Sequence, residues 1–407
     1  MRRGIGRVFA YWRAERRTIG QGFVALVISS LGSLIAGVAL GSITGTLERL
    51  PGLMVMVPAA IGMRGNIFGA LGSRLGTSIH SGMYAPTRER EGILYQNVYA
   101  VTVLTFAISL LEGALAKTLT VAFGVPSIGM LDFVVIAIIG AVLSSFVVGG
   151  FTITLSRGAY QRGWDLDSVA GPLITAAGDM VTVPAMFLAT FLIGLAWVTP
   201  AIAGAALVVT LALTVRGLTT DLEITRRVLR ESLPILAVAG TVDILAGLMV
   251  QARLNRFLLL PALLVLIPPY LEGEGALGAI LSSRLASKLH LGAIAPRLVP
   301  ESLAWLDASI VIMFSLANSV LTGIAAHFAA HLIGLDSPGL LDMIGITLVA
   351  GLIATVPVVV VAYYTAVATF RLGLDPDNHG IPMITSSMDF VGVISLVVAL
   401  LAFGVGS

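Results

Sequence analysis

The stretch "GALGSRLGTSIHSGMYAP" (residues 69–86) returns 210 positions later as "AILSSRLASKLHLGAIAP" (279–296). Ser73, Arg74, Leu75, His80, Gly82, Ala85 and Pro86 fall on identical residues. The same register, without a gap, pairs Pro51 with Pro261, Pro58 with Pro268 and Asp132 with Asp342. It also pairs Asp165 and Asp167 with Asp375 and Asp377, and Pro172, Thr175 and Asp179 with Pro382, Thr385 and Asp389. Polar matches in an apolar sequence do not hold one register this long by chance. The chain is a duplication.

The duplicated unit is a membrane unit. The 407 residues are 57% hydrophobic and only 11% charged, whereas a soluble domain carries about a quarter charged residues. Apolar runs reach the length of about 20 residues that crosses a bilayer. Eleven spans are expected, at roughly 20–46, 52–82, 92–121, 128–156, 167–196, 200–217, 233–252, 258–290, 302–333, 339–369 and 381–405. The segments 52–82 and 258–290 are long for one crossing and carry Pro and Gly, so they are expected to be bent or discontinuous. The fold class is all-α and polytopic. With no cysteine in the chain, disulfides, thiolate metal sites and Cys nucleophiles are excluded.

Five spans make each copy, which is an odd number. Joined directly, the copies would be inverted. The extra span at 200–217 restores the starting side, so the copies are expected to be parallel repeats about a pseudo-two-fold axis along the membrane normal. The expected organisation is a basic arm (1–19), a first repeat (20–197), a linking helix and linker (198–232) and a second repeat (233–407). The arm, "MRRGIGRVFAYWRAERR", holds six arginines. Beside a first span such a stretch is an orientation and lipid-headgroup signal, not a nucleic-acid site. With the N-terminus in the cytoplasm, Arg88, Arg90, Arg157, Arg162, Arg216, Arg226, Arg227, Arg230, Lys288, Arg297 and Arg371 fall in inner loops, while outer loops hold Arg49, Lys117, Arg253 and Arg256, the 253–256 loop being the one poor fit. The plasma membrane is the expected location.

Asp179 and Asp389 are the first candidates for function. A carboxylate at a span centre costs about 2.5–3.5 kcal/mol on insertion scales and faces the protein interior or a water-filled path. Thr175 and Thr385 lie one turn earlier on the same helix faces. Parallel repeats aim both carboxylates at one axial space, where their repulsion favours a shared proton or a bound cation. The segment "PAAIGMRGN" (58–66) meets "PPYLEGEGA" (268–276). It offers Asn66 in one copy, Glu272 and Glu274 in the other, and backbone oxygens that Pro and Gly can free. Arg74 with His80, and Arg284 with His290, suit capping and snorkelling. Carboxylate, amide and hydroxyl oxygens without thiolates suit a hard cation such as Mg²⁺, Ca²⁺ or Mn²⁺.

"PAAIGMRGNIFGALGSRLGTSIH" (58–80), its partner in 252–290 and the helices of Asp179 and Asp389 together resemble the MgtE-type magnesium transporter family, in particular its solute carrier 41 branch. The resemblance covers the chain beyond the N-terminal arm. It implies two five-helix domains fused in tandem around a cation pore, Mg²⁺ as the ion, and Asp179 and Asp389 as the pore aspartates. Asn66 matches the Gly-Asn position of the family, and the second copy departs there with Glu-Gly-Ala. The resemblance also implies that one chain is a pseudo-dimer able to work as a monomer. It leaves out the cytoplasmic regulatory domains of bacterial MgtE.

The sequence-level reading is therefore a magnesium or other divalent cation transporter, not an enzyme. Its metal-binding candidates are Asp179, Asp389, Asn66, Thr175, Thr385, Glu272 and Glu274. An exchanger coupled to Na⁺ or H⁺ is the alternative, since Glu272, Glu274 and Asp243 add further acids. An intramembrane aspartyl protease lacks its Gly-x-Gly-Asp signature here, and an organic-solute carrier lacks an aromatic or Arg-lined pocket.

Overall fold

The computed structural model describes residues 2–404 apart from 86, 88 and 163–165, and describes no side chains at 2–5, 159, 162, 166–172, 376 and 377. Of the sequence pairs above, Pro86, Asp165 and the side chains of Asp167, Pro172 and Asp377 lie outside the described residues.

Every regular element among the described residues is a helix. In chain order they are α1 (Arg2–Ala14), α2 (Arg16–Ser42), α3 (Thr44–Arg49), α4 (Leu53–His80), α5 (Ile93–Ala122), α6 (Met130–Arg162), α7 (Leu166–Ala189), α8 (Val198–Thr219), α9 (Glu223–Gln251), α10 (Leu254–Leu259), α11 (Ala262–His290), α12 (Ser302–Leu332), α13 (Leu340–Leu372) and α14 (Ile381–Ala402). A 3₁₀ turn follows α7, and a π-turn at Pro376–Gly380 leads into α14. Eleven of these helices, all but α1, α3 and α10, are long and apolar enough to cross a membrane. Only helices and closed barrels satisfy every backbone group in lipid, so this is an integral membrane protein of helical type.

The two sequence copies fold alike. In the first, α7 packs on α4 and α6, and α5 on α4 and α6; in the second, α14 packs on α11 and α13, and α12 on α11 and α13. The leading helix of each copy crosses to the other. Helix α2 packs on α11 and α12 as well as on α7, and α9 packs on α4 and α5 as well as on α14. Two glycines allow this crossing. A Cβ on Gly37 of α2 would overlap the carbonyl of Val265 in α11, and a Cβ on Gly247 of α9 would overlap that of Val55 in α4. Helices approach this closely only over small residues. Helices α4 and α11 are the most buried spans and form the centre, while α8 is the least buried and packs outside α5, α6 and α9.

The two long segments are not interrupted at their internal prolines, where their Pro and Gly content suggested a break. The chain breaks earlier, at Leu50–Gly52 and Leu260–Pro261, after the short helices α3 and α10. Helix α4 then runs unbroken through Pro58, and α11 through Pro268 and Pro269. A proline in a helix removes one donor and leaves the carbonyl four residues earlier without its usual partner. The remaining ladder and the packing on every side keep these helices continuous.

At one end of the second copy Asp307 anchors a polar cluster. It accepts from Arg284 (2.7 Å), Lys288 (2.5 Å) and the Tyr11 hydroxyl (2.7 Å), and Arg284 also reaches Glu15 (3.1 Å). Burial pushes the Tyr11 phenol above its ordinary pKa, which keeps the donated proton in place. The matching position in the first copy is neutral: Arg74 donates to Asn97 at 2.7 Å and to Asn378 at 3.0 Å. Both arginines of the repeated motif thus tie helices together.

Candidate cation site

A cavity of about 510 Å³ lies between the two copies. Its walls repeat across the register of 210. Helix α4 contributes Val57, Pro58, Ile61, Gly62, Gly65, Asn66, Gly69 and Ser73, and α11 contributes Ile267, Pro268, Leu271, Glu272, Gly275, Ala276, Ala279 and Ser283. Thr175 and Asp179 enter from α7, Thr385 and Asp389 from α14, and Ser29 from α2. The space exists because small residues recur at helical spacing, Gly62, Gly65 and Gly69 on one side and Gly275 and Ala279 on the other. Two of these glycines seat the threonines: Gly65 abuts Thr175, and Gly275 abuts Thr385.

Six of the seven expected residues meet here: Asp179, Asp389, Asn66, Thr175, Thr385 and Glu272. The seventh, Glu274, does not. It is buried on a different face of α11, and its Oε2 has no hydrogen-bond partner. Its counterpart in the first copy is Arg64, also buried, which donates to Ser145 at 2.6 Å and to Ser109 at 3.3 Å and faces Glu112.

The acids are held asymmetrically. Ser33 of α2 donates to Asp179 Oδ2, and Ser29, one turn earlier, donates to Glu272. Asp179 Oδ1 is buried without a partner. Glu272 and both aspartates line the same cavity. Thr385 donates to Asn66 Oδ1 at 3.1 Å, a direct link between the copies. No three His, Asp or Glu side chains among the described residues converge tightly enough to hold one bare ion.

Sequence reasoning missed the two serines, which look like ordinary small residues of a packed helix. It also gave Asp243 no place at the site. In the structure Asp243 of α9 reaches past Gly62 to Asp389: a Cβ at Gly62 would lie 3.1 Å from Asp243 Oδ2 and 3.4 Å from Asp389 Oδ2. A column-by-column reading of the repeat carries the signal, since Asp243 stands opposite Ser33, and Glu272 opposite Gly62.

The MgtE family model, described as a divalent cation transporter, matches the chain twice, at residues 57–189 and 267–399. Those segments keep the register of the repeat. The chain is 26% identical to solute carrier family 41 member 3 of Mus musculus, over 84% of this chain and 73% of that protein. It is 25% identical to the Rattus norvegicus member 3, over 91% and 84%. With solute carrier family 41 member 2 of Xenopus laevis it shares 24%, over 92% and 70%. No solved structure matches it.

Proposed function

This chain belongs to the MgtE family of divalent cation transporters, and from that premise we propose that it carries Mg²⁺ across a membrane through the cavity between its two copies. Asp179 and Asp389 take the ion, with Glu272 adding charge and Asn66, Thr175 and Thr385 adding neutral oxygens. The observation that supports this most is the pseudo-symmetric cavity into which both copies turn the same aspartate and the same threonine.

Mg²⁺ demands near-octahedral oxygen coordination and gives up water reluctantly. At roughly 30 Å³ per water, a six-water shell fills roughly 200 Å³, so a hydrated ion fits the cavity with room to exchange partners. The carboxylates replace outer hydration charge, and the threonines and Asn66 accept or donate to retained waters. Because both walls come from one chain, one chain is the transporting unit. Its basic N-terminal arm lies on the cytoplasmic side of the cell membrane, and the Arg distribution supports that sidedness.

Purified protein in liposomes holding a Mg²⁺ indicator tests this reading. Mg²⁺ entry above that of protein-free liposomes is the expected result. Absence of entry with a Mg²⁺ gradient, and again with added Na⁺ or proton gradients, contradicts it. Entry that appears only with one of those gradients assigns coupled exchange instead.

A further inference from the structure

The cavity gathers more carboxyl groups than one divalent ion needs for neutralisation. Asp179, Glu272 and Asp389 line it, and Asp243 stands beside Asp389 behind Gly62. No ion pair among the described residues joins any of the four to Lys, Arg or His. The buried Arg64 is turned to Glu112, Ser145 and Ser109. Asp243 is fully buried, and both of its carboxylate oxygens lack a hydrogen-bond partner. The Ser386 hydroxyl, three residues before Asp389, is turned to Asp243. A buried carboxylate without a donor is costly unless a counter-charge reaches it.

The four acids fall into two pairs that the repeat relates. In the first, Asp179 and Glu272 of α11 accept from Ser33 and Ser29, one turn apart on α2. In the second, Asp389 is joined by Asp243 from α9, and the α4 position holds Gly62. Each pair draws its second acid from a different helix, yet each brings two carboxyl groups together. Resting on the reading of the cavity as a cation path, we infer that the protein binds two divalent cations together, one at Asp179 and Glu272 and a second at Asp389, Asp243 and Ser386. Asp243 is thus a ligand, and the two ions occupy neighbouring stations whose mutual repulsion helps release the leading one.

Equilibrium dialysis of the purified full-length protein in neutral detergent against saturating Mg²⁺, with the bound metal counted by atomic emission, tests this. Wild type is expected to hold two ions per chain and Asp243→Ser one. Gly62→Glu added to Asp243→Ser copies the Glu272 and Ser33 arrangement of the other pair and is expected to restore two. The exposed Asp336→Asn is the control and stays at two. The wild-type count needs no variant, so it decides even if Asp243→Ser fails to fold. One ion in wild type overturns the inference while leaving single-ion transport standing. Two ions retained in Asp243→Ser overturn the role of Asp243, and failure of Gly62→Glu to restore the count overturns the pairing. No ion bound to wild type removes both this inference and the transport reading beneath it.

Discussion

Ser33 donates its hydroxyl proton to Asp179, whereas at the position 210 residues on, Asp243 sets a second carboxylate against Asp389. The duplicated helices therefore surround one cavity with two aspartates in unlike settings. One accepts from a hydroxyl donor, and the other stands against a second carboxyl group.

Ser33→Ala tests the first setting. Loss of a group that orients a metal-binding carboxylate typically lowers metal affinity about 10–100-fold. A drop of that size in apparent Mg²⁺ affinity in liposome flux is expected, with the maximal rate less affected. An unchanged affinity would show that Asp179 keeps its position without Ser33.

The two acids of α11 should separate in function. Glu272 lines the cavity and Glu274 does not. Glu272→Gln is expected to lower Mg²⁺ affinity by about tenfold, the equivalent of about 1.4 kcal/mol. Glu274→Gln, which keeps size and hydrogen-bonding capacity, is expected to leave flux within about twofold, a difference well under 1.4 kcal/mol. Side-by-side titration of flux against Mg²⁺ distinguishes them.

The crossing of α2 and α9 rests on Gly37 and Gly247, where an added Cβ meets backbone carbonyl rather than a flexible side chain. Gly37→Ala and Gly247→Ala are each expected to destabilise by the 1–3 kcal/mol typical of overpacking, roughly. Gly150→Ala is the control. It sits within α6 with nothing near its Cβ position, and Ala in a helix is favoured over Gly by about 1 kcal/mol. Thermal unfolding in detergent should show two losses and one unchanged or raised midpoint.

Asp307 is buried with Arg284 and Lys288 upon it. Removing one partner of a buried ion pair destabilises by about 3–5 kcal/mol, so Asp307→Ala should lower the unfolding midpoint strongly. Tyr11→Phe deletes one hydrogen bond to the same carboxylate and should cost about 1 kcal/mol. Comparable effects of the two would mean that the N-terminal helix, not the ion pair, holds this end together.

Much of this architecture was legible before the structure. Apolar run lengths located the eleven spans, and the paired motifs at Ser73–His80 and Ser283–His290 showed the duplication. Thr175, Asp179, Thr385 and Asp389, which line one cavity, stood out because charge inside an apolar helix has few structural uses. Three features were not readable. Pro58 and Pro268 looked like helix breaks, but the packing around α4 and α11 outweighs the lost donors. Glu274 looked equivalent to Glu272, yet two residues along a helix turn a side chain by about 200°, which takes it off the cavity. Ser29, Ser33 and Asp243 owe their roles to α2 and α9 crossing between copies, a tertiary arrangement that local pattern does not encode.

The most direct test of the account compares Mg²⁺ entry into liposomes for wild type, Asp179→Asn, Asp389→Asn and the double variant, each confirmed monodisperse and folded. The account predicts reduced entry in both single variants and entry at the protein-free level in the double variant. Wild-type entry in the folded double variant would contradict it, because the ion would then cross this protein without the two aspartates that the repeated helices bring to the cavity.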